Sequence, residues 1–204
     1  MKKQVSLNKK IVLGITGGFG TGKSTVAGYF RRFGAKVVDA DKIVHDLIKP
    51  GSSVYKKIIT GFGREMLKKD RSIDRARLAR LVFSDRRLLD KLNRIIHPQV
   101  IKIMKKEIAS ARGKIVVLDV PLLFEAGLKR LADKVVVVTA SREIQLRRIF
   151  KKTSLLEKDI LMRIKAQLPL STKVRRADFV IDNNRTQNWT KKQVVNLRRM
   201  LWKN

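Results

Sequence analysis

Residues Gly17-Gly18-Phe19-Gly20-Thr21-Gly22-Lys23-Ser24 match the pattern G-x-x-x-x-G-K-[ST], and no other feature of the chain limits its fold as strongly. Such a loop wraps phosphates only when a strand delivers it and a helix leaves it. Both flanks are present. The apolar run Ile11–Ile15 reads as a buried strand, and Lys23 to Phe33 reads as a helix. The glycines let the backbone turn tightly with its N–H groups aimed inward, and the helix adds its positive end. We therefore expect Gly18, Phe19, Gly20, Thr21, Gly22, Lys23, Ser24 and Thr25 to hold ATP. Lys23 is expected to reach the β- and γ-phosphates and Ser24 to ligate Mg2+. A glycine-rich turn that binds nothing is the alternative, and the complete pattern in this context weighs against it.

The same alternation continues downstream. Lys36–Asp39, Ile115–Leu118, Val135–Val138 and Phe179–Ile181 are short apolar runs separated by helical stretches. Their β-branched, fully apolar character is that of parallel strands covered on both faces. The expectation is an α/β fold with about five parallel strands flanked by helices. Helical spacing is also read from Lys42 to before Pro50, through a glycine-interrupted region to about Leu67, over Ile73–Phe83 and over Arg86 to about Ala111. His97-Pro98 predicts a kink or break in the last of these. Basic helices follow at Glu143–Lys152 and Leu155–Gln167, and Thr186–Trp202 closes the chain with Trp189 and Trp202 as core or docking residues.

Ligands of such sheets sit beyond the carboxyl ends of the strands. Three strand ends offer chemistry there: the phosphate loop, Asp39-Ala40-Asp41, and Asp119 after four apolar residues. Asp119 has the form of the carboxylate that supports a metal ion, directly or through water. Asp39 and Asp41, two residues apart, would share a face if extended. One could take a proton from an acceptor hydroxyl while the other holds position; a helix cap at Asp41 is the plainer reading. A basic clamp is expected within 142–176, where Arg147, Arg148, Lys151, Lys152, Arg163 and Lys165 lie on two short helices.

Composition narrows the alternatives. The 204 residues suffice for one compact unit, and the absence of cysteine removes disulfides, thiolate metal sites and cysteine nucleophiles. His45 and His97 are too few for a multi-histidine metal site. The only apolar stretch near the basic N-terminus is cut short by the phosphate loop, so no signal core or membrane span is read, and a cytoplasmic enzyme is expected. The net charge of +31 is spread along the whole chain, and aromatic residues make up 6%. We expect non-specific polyanion binding at low salt and no dedicated nucleic-acid partner.

Together these pieces resemble the dephospho-coenzyme A kinases. The matching residues are Gly14 to Thr25, Val38-Asp39-Ala40-Asp41, Ile73-Asp74-Arg75, Leu92-Asn93 with Ile96-His97-Pro98, and Pro121-Leu122-Leu123-Phe124-Glu125. Arg163-Ile164 with Gln167 and Ala177-Asp178 with Val180-Ile181-Asp182-Asn183 complete them. The resemblance covers about residues 11 to 184. It implies a P-loop NTPase core, a helical acceptor-binding insertion and a small helical lid. The implied divisions are a basic arm over 1–9 and one kinase unit over 10–204. Within that unit the core is 10–41, 112–141 and 177–204, the acceptor region 42–111 and the lid 142–176. The implied reaction moves the γ-phosphoryl of ATP to the ribose 3′-hydroxyl of dephospho-coenzyme A, the last step of coenzyme A synthesis.

Under that reading Asp41 is the base, with Lys23 and Arg148 as further catalytic residues. Asp39, Asp41, Arg75, His97 and Leu123 contact the acceptor. Ser24 and Asp119 hold Mg2+. Two positions depart from the family: Lys152, where arginine is common, and Arg185, where glycine is usual. A kinase of another small nucleotide or nucleoside is the alternative, against which the Asp-Ala-Asp and His-Pro pieces argue. A regulatory GTPase would need Asn-Lys-x-Asp, and that tetrapeptide does not occur.

Overall fold

A computed structural model describes residues 10–153 and 156–202. The arm expected over 1–9, and Leu155 at the start of one expected helix, lie outside the described residues. The strands are β1 (Ile11–Gly17), β2 (Lys36–Asp39), β3 (Ile115–Asp119), β4 (Lys134–Thr139) and β5 (Phe179–Asp182). They form one parallel sheet in the order β2-β3-β1-β4-β5.

Side-chain alternation sorts the sheet into two cores. Val12, Val116, Leu118, Val135 and Val137 face one way. Leu13, Ile15, Ile115, Val117, Val136, Val138 and Ile181 face the other. The second face is covered by α1 (Lys23–Arg32), through Val26 and Phe30, and by α9 (Gln187–Trp202), through Val194 and Leu197. On the first face lie α2 (Ala40–Leu47), α3 (Ser53–Phe62), α4 (Arg75–Ser84) and α5 (Arg86–Ser110). The remaining helices are α6 (Arg142–Lys152), α7 (Glu157–Lys165) and α8 (Leu170–Arg175).

Helix ends follow their sequence signals. Ser52, Asp74, Asp85 and Ser141 each accept a backbone N–H from the first turn of α3, α4, α5 and α6. The Asp74 cap sets the start of α4 at Arg75, two residues later than periodicity suggests, and Ile73 instead bridges to Leu67.

Of the kink or break expected at His97-Pro98, a break does not occur: α5 runs for 25 residues with Pro98 inside it. A mid-helix proline costs about 3 kcal/mol. Ile96, Val100 and Met104 are buried in a row on either side of it. At roughly 1.5–3 kcal/mol each, their burial outweighs the lost hydrogen bond.

Of the two readings for Trp189, core or docking, the structure removes the core one. Trp189 is 39% exposed, with the Arg185 guanidinium 4.9 Å from its ring centroid. The cation covers the ring that the core does not take. The side chain of Trp202 lies outside the described residues. The short helix α8 was not foreseen.

Candidate active site

The phosphate loop joins β1 to α1 and is held from behind. The Gly18 carbonyl accepts from the Thr21 hydroxyl at 2.9 Å and from Lys23 Nζ at 2.9 Å. The Thr21 carbonyl accepts from Asn183 Nδ2 at 2.8 Å and from Arg148 Nη1 at 3.3 Å. With the Gly18 and Thr21 carbonyls already engaged by protein donors, the loop is left with amides to offer a ligand. Gly20 and Gly22 sit at φ +79° and +91°, where a side chain would be strained. A Cβ at Gly22 would also collide with the Asn183 amide. No side chain caps α1, and its first turn holds no acidic residue, so its N-terminal end is free for an anion.

The register of the sheet brings the carboxylates to the same edge. Asp39 pairs with Asp119 across β2 and β3, and Asp119 pairs with Ile15 of β1. Asp39 is the cap of α2: its carboxylate accepts from the Lys42 amide at 3.0 Å. Asp41 lies in the first turn of that helix. The two carboxylates are therefore not on one extended face, and the cap is Asp39 in place of Asp41. The helix begins so close behind the strand that it turns Asp41 onto a different path.

Electrostatics binds these groups together. Lys23 is buried, which lowers its pKa to about 8; the charge of Asp119 is the first opposing influence, and Asp41 and Glu125 also oppose. Asp119 is buried, which raises its pKa to about 6, with Lys23 the first charge holding it down and Asp39 and Asp41 pushing it up. Crowding by the surrounding chain, then the charge of Asp39, raises the pKa of Asp41. Lys23, Arg75 and Arg163 pull it down. Asp41 is exposed at the cleft, so solvent screens part of this effect and an incoming hydroxyl has access.

The Ser24 hydroxyl is close enough to the Asp119 carboxylate to favour its charged form, and Asp119 Oδ1 is buried with no partner. An orphaned carboxylate oxygen beside a hydroxyl is a donor set for a hard divalent cation, which binds one or two carboxylates and completes its shell with water and phosphate. The residues present fit such an ion.

The other expected site residues are placed as follows. Arg75 stands 3.3 Å from His45 Nδ1 and within electrostatic reach of Asp41. His97 lines a cavity of about 670 Å³ with Asn93, Arg94, Glu125 and Arg130, and burial lowers its pKa.

Leu123 is corrected: it is 0% exposed, packed under Gly14 of β1, and presents no surface to a ligand. An apolar side chain in the loop after β3 fills the gap left by that glycine.

Arg148 donates to the carbonyls of Thr21 and Asn183, at 3.3 and 2.9 Å, so its fork fastens the phosphate loop to the end of β5. Burial lowers its pKa. Within 142–176 the arginine whose charge reaches Asp41, alongside that of Arg75, is Arg163 of α7, 5.9 Å from the ring centroid of Phe19 in the loop. Sequence reading placed Arg163 in the clamp without singling it out, and missed Asn183 and Lys173. The strand-end position of Asn183 was the available signal; nothing marked Lys173 among so many lysines.

Comparison with known proteins agrees with this geometry. Residues 11–188 match the family model described as dephospho-CoA kinase. A curated dephospho-CoA kinase of Carboxydothermus hydrogenoformans is 41% identical over 196 residues, covering 94% of this chain and 95% of its own. Its counterpart in Syntrophotalea carbinolica is 43% identical over 190 residues, covering 92% and 90%. A crystal structure from Thermus thermophilus superposes with a TM-score of 0.82 at 31% identity, over 94% of this chain and 97% of that one. The dephospho-CoA kinase of Campylobacter jejuni gives 0.65 at 28% identity, over 92% and 95%.

Proposed function

This chain belongs to the dephospho-CoA kinase family, and from that premise we propose how its residues divide the reaction. The γ-phosphoryl of ATP is transferred to the ribose 3′-hydroxyl of dephospho-CoA, giving CoA and ADP. Residues 10–41, 112–141 and 177–204 serve as the core, 42–111 as the acceptor side and 142–176 as the lid. The observation that carries the reading is the mutual influence of Lys23, Asp41 and Asp119 at one sheet edge.

Loop amides and Lys23 hold the β- and γ-phosphates. Lys23, now bonded to the Gly17 and Gly18 carbonyls, exchanges them for phosphate oxygens. Ser24 and Asp119 would hold a divalent cation such as Mg2+, directly or through water, since the set offers oxygen donors. An ion held there would supply neutralisation of phosphate charge.

Asp41 accepts the proton of the 3′-hydroxyl as its oxygen bonds to the γ-phosphorus. The bond from that phosphorus to the β–γ bridging oxygen breaks, and ADP leaves with the electron pair. A raised pKa makes Asp41 a better proton acceptor than an ordinary carboxylate. Arg163 and Arg75 keep positive charge beside it and beside the transferring group. The cavity at His97, lined by Arg94 and Arg130 and also by Asp90 and Glu125, offers polar groups of both signs to the remainder of the acceptor.

Incubation with ATP, magnesium and dephospho-CoA tests the reading. Mass spectrometry is expected to find 3′-phosphorylated product. Phosphorylation of nucleosides or nucleotides instead, in a parallel panel, overturns it. No described helix is long and apolar enough to cross a membrane.

A further inference from the structure

Lys173 of α8 is 0% exposed, and its ammonium group has two partners. It donates to the Pro121 carbonyl at 2.9 Å and pairs with Glu125 Oε1 at 2.8 Å. Each partner is shared. The Pro121 carbonyl also accepts from the Thr16 hydroxyl at 3.0 Å, one residue before the phosphate loop. Glu125 Oε1 also accepts from the Leu168 amide at 2.9 Å, just beyond α7. One buried cation thus ties together the end of β1, the loop after Asp119 and the root of the segment carrying Arg163. Glu125 in addition lines the cavity at His97, and its Oε2 is buried without a partner.

Burying an ammonium is costly, and an apolar chain of equal length would fill the same space without that penalty. Packing alone therefore does not account for Lys173. What the ion pair adds is direction. It fixes where the α7 root stands relative to the peptide two residues past Asp119 and to the first glycine of the loop.

We propose that Lys173 and Glu125 are positioning residues for phosphoryl transfer: their buried pair sets the Arg163 helix over the phosphate loop and, through Glu125, couples it to the acceptor cavity. The fields of the pair reach the phosphate loop, since Lys173 lowers and Glu125 raises the pKa of Lys23.

The test compares Lys173→Met, Glu125→Gln and the double variant. Measured are ATP affinity, kcat and KM for dephospho-CoA, urea unfolding, and amide exchange over 156–168. Lys173→Met is expected to keep ATP affinity within about threefold while kcat falls at least ~10-fold. Exchange over 156–168 should quicken while that of β1 and β4 is unchanged. The double variant leaves no buried charge unpaired, so stability should recover and kcat should not. Recovery of kcat together with stability overturns the proposal, as does unchanged exchange over 156–168. Should Lys173→Met not fold, Glu125→Gln decides: several-fold loss of kcat at unchanged ATP affinity supports it, and wild-type kcat defeats it. The proposal rests on the dephospho-CoA kinase reading. Wild-type protein inert toward dephospho-CoA would sink that reading, and the exchange measurement would still judge the strut.

Discussion

Lys23 and Asp119 are each the foremost charge opposing the other's burial: the lysine holds the carboxylate down from its raised value, and the carboxylate holds the lysine up from its lowered one. The phosphate site is thus poised without its ligand, with a cation readily neutralised and an anion readily protonated. Arrival of a triphosphate changes both balances.

ATP binding should take up protons in mildly alkaline solution. Lys23 has its pKa lowered from 10.5 to about 8, so above that value much of the ligand-free protein carries it neutral. Phosphate oxygens favour the charged form and restore the proton. Calorimetry at about pH 8.5, in buffers of differing ionisation enthalpy, should show an uptake of up to about three-quarters of a proton, absent in Lys23→Met. A buffer-independent heat in the wild type would contradict this.

Asp119 costs the ligand-free protein stability. Its pKa is raised from 3.8 to about 6, so the folded chain binds that proton more tightly than the unfolded chain does. Stability is therefore full below the unfolded value and is lost as pH rises through the folded one. Asp119→Asn should be on the order of 1–3 kcal/mol more stable than wild type at pH 7.5, with the gap closing below pH ~4. If Asp119 is the metal ligand proposed above, the variant's turnover should fall by ~100-fold or more. Urea unfolding at both pH values checks the first part and magnesium titration the second. Equal stability at pH 7.5 would mean that the carboxylate is not held at a cost.

Much of this geometry is legible in the chain because it depends on local rules. The phosphate loop is a contiguous pattern, and apolar runs that end in Asp39 and Asp119 put those carboxylates at one edge of any parallel sheet. What escapes sequence reading is decided across the fold. Arg148 and Arg163 look alike on paper, and only the approach of Asn183 to the loop commits the first to carbonyls. Pro98 reads as a break until burial of Ile96, Val100 and Met104 overrules it. Leu123 reads as a pocket residue until it is seen packed against Gly14 and wholly enclosed. Lys173 differs from its many fellows only in being wholly enclosed.

Asp41 should behave as a base and not as a binding group. Asp41→Asn is expected to lower kcat by about 10²–10⁴-fold and to leave ATP affinity within about threefold. Because crowding by the surrounding chain and the charge of Asp39 raise its pKa, the acid limb of the wild-type kcat profile should lie above the range of an ordinary carboxylate, by an amount that solvent at the cleft reduces. Asp39→Asn should move that limb to lower pH. An acid limb indifferent to Asp39→Asn, or near-normal turnover of Asp41→Asn, would take the base role from it.

Arg148 and Arg163 should fail in different ways. Arg148 bonds only protein carbonyls here, those of Thr21 and Asn183, so its loss loosens the loop before any ligand arrives. Arg148→Met should therefore raise the KM for ATP by about 10-fold and cost about 1–2 kcal/mol of stability, since the Asn183 carbonyl loses a charged partner. Arg163 acts on Asp41 through its field and rests against Phe19, so its charge is placed for the transferring group. Arg163→Met should lower kcat by about 10²-fold or more with little change in stability or in ATP affinity. Steady-state kinetics beside urea unfolding separates the two patterns. The reverse assignment, with kcat lost in Arg148→Met and ATP affinity lost in Arg163→Met, would show that α6 rearranges on binding so far that Arg148 leaves the carbonyls for the phosphoryl group.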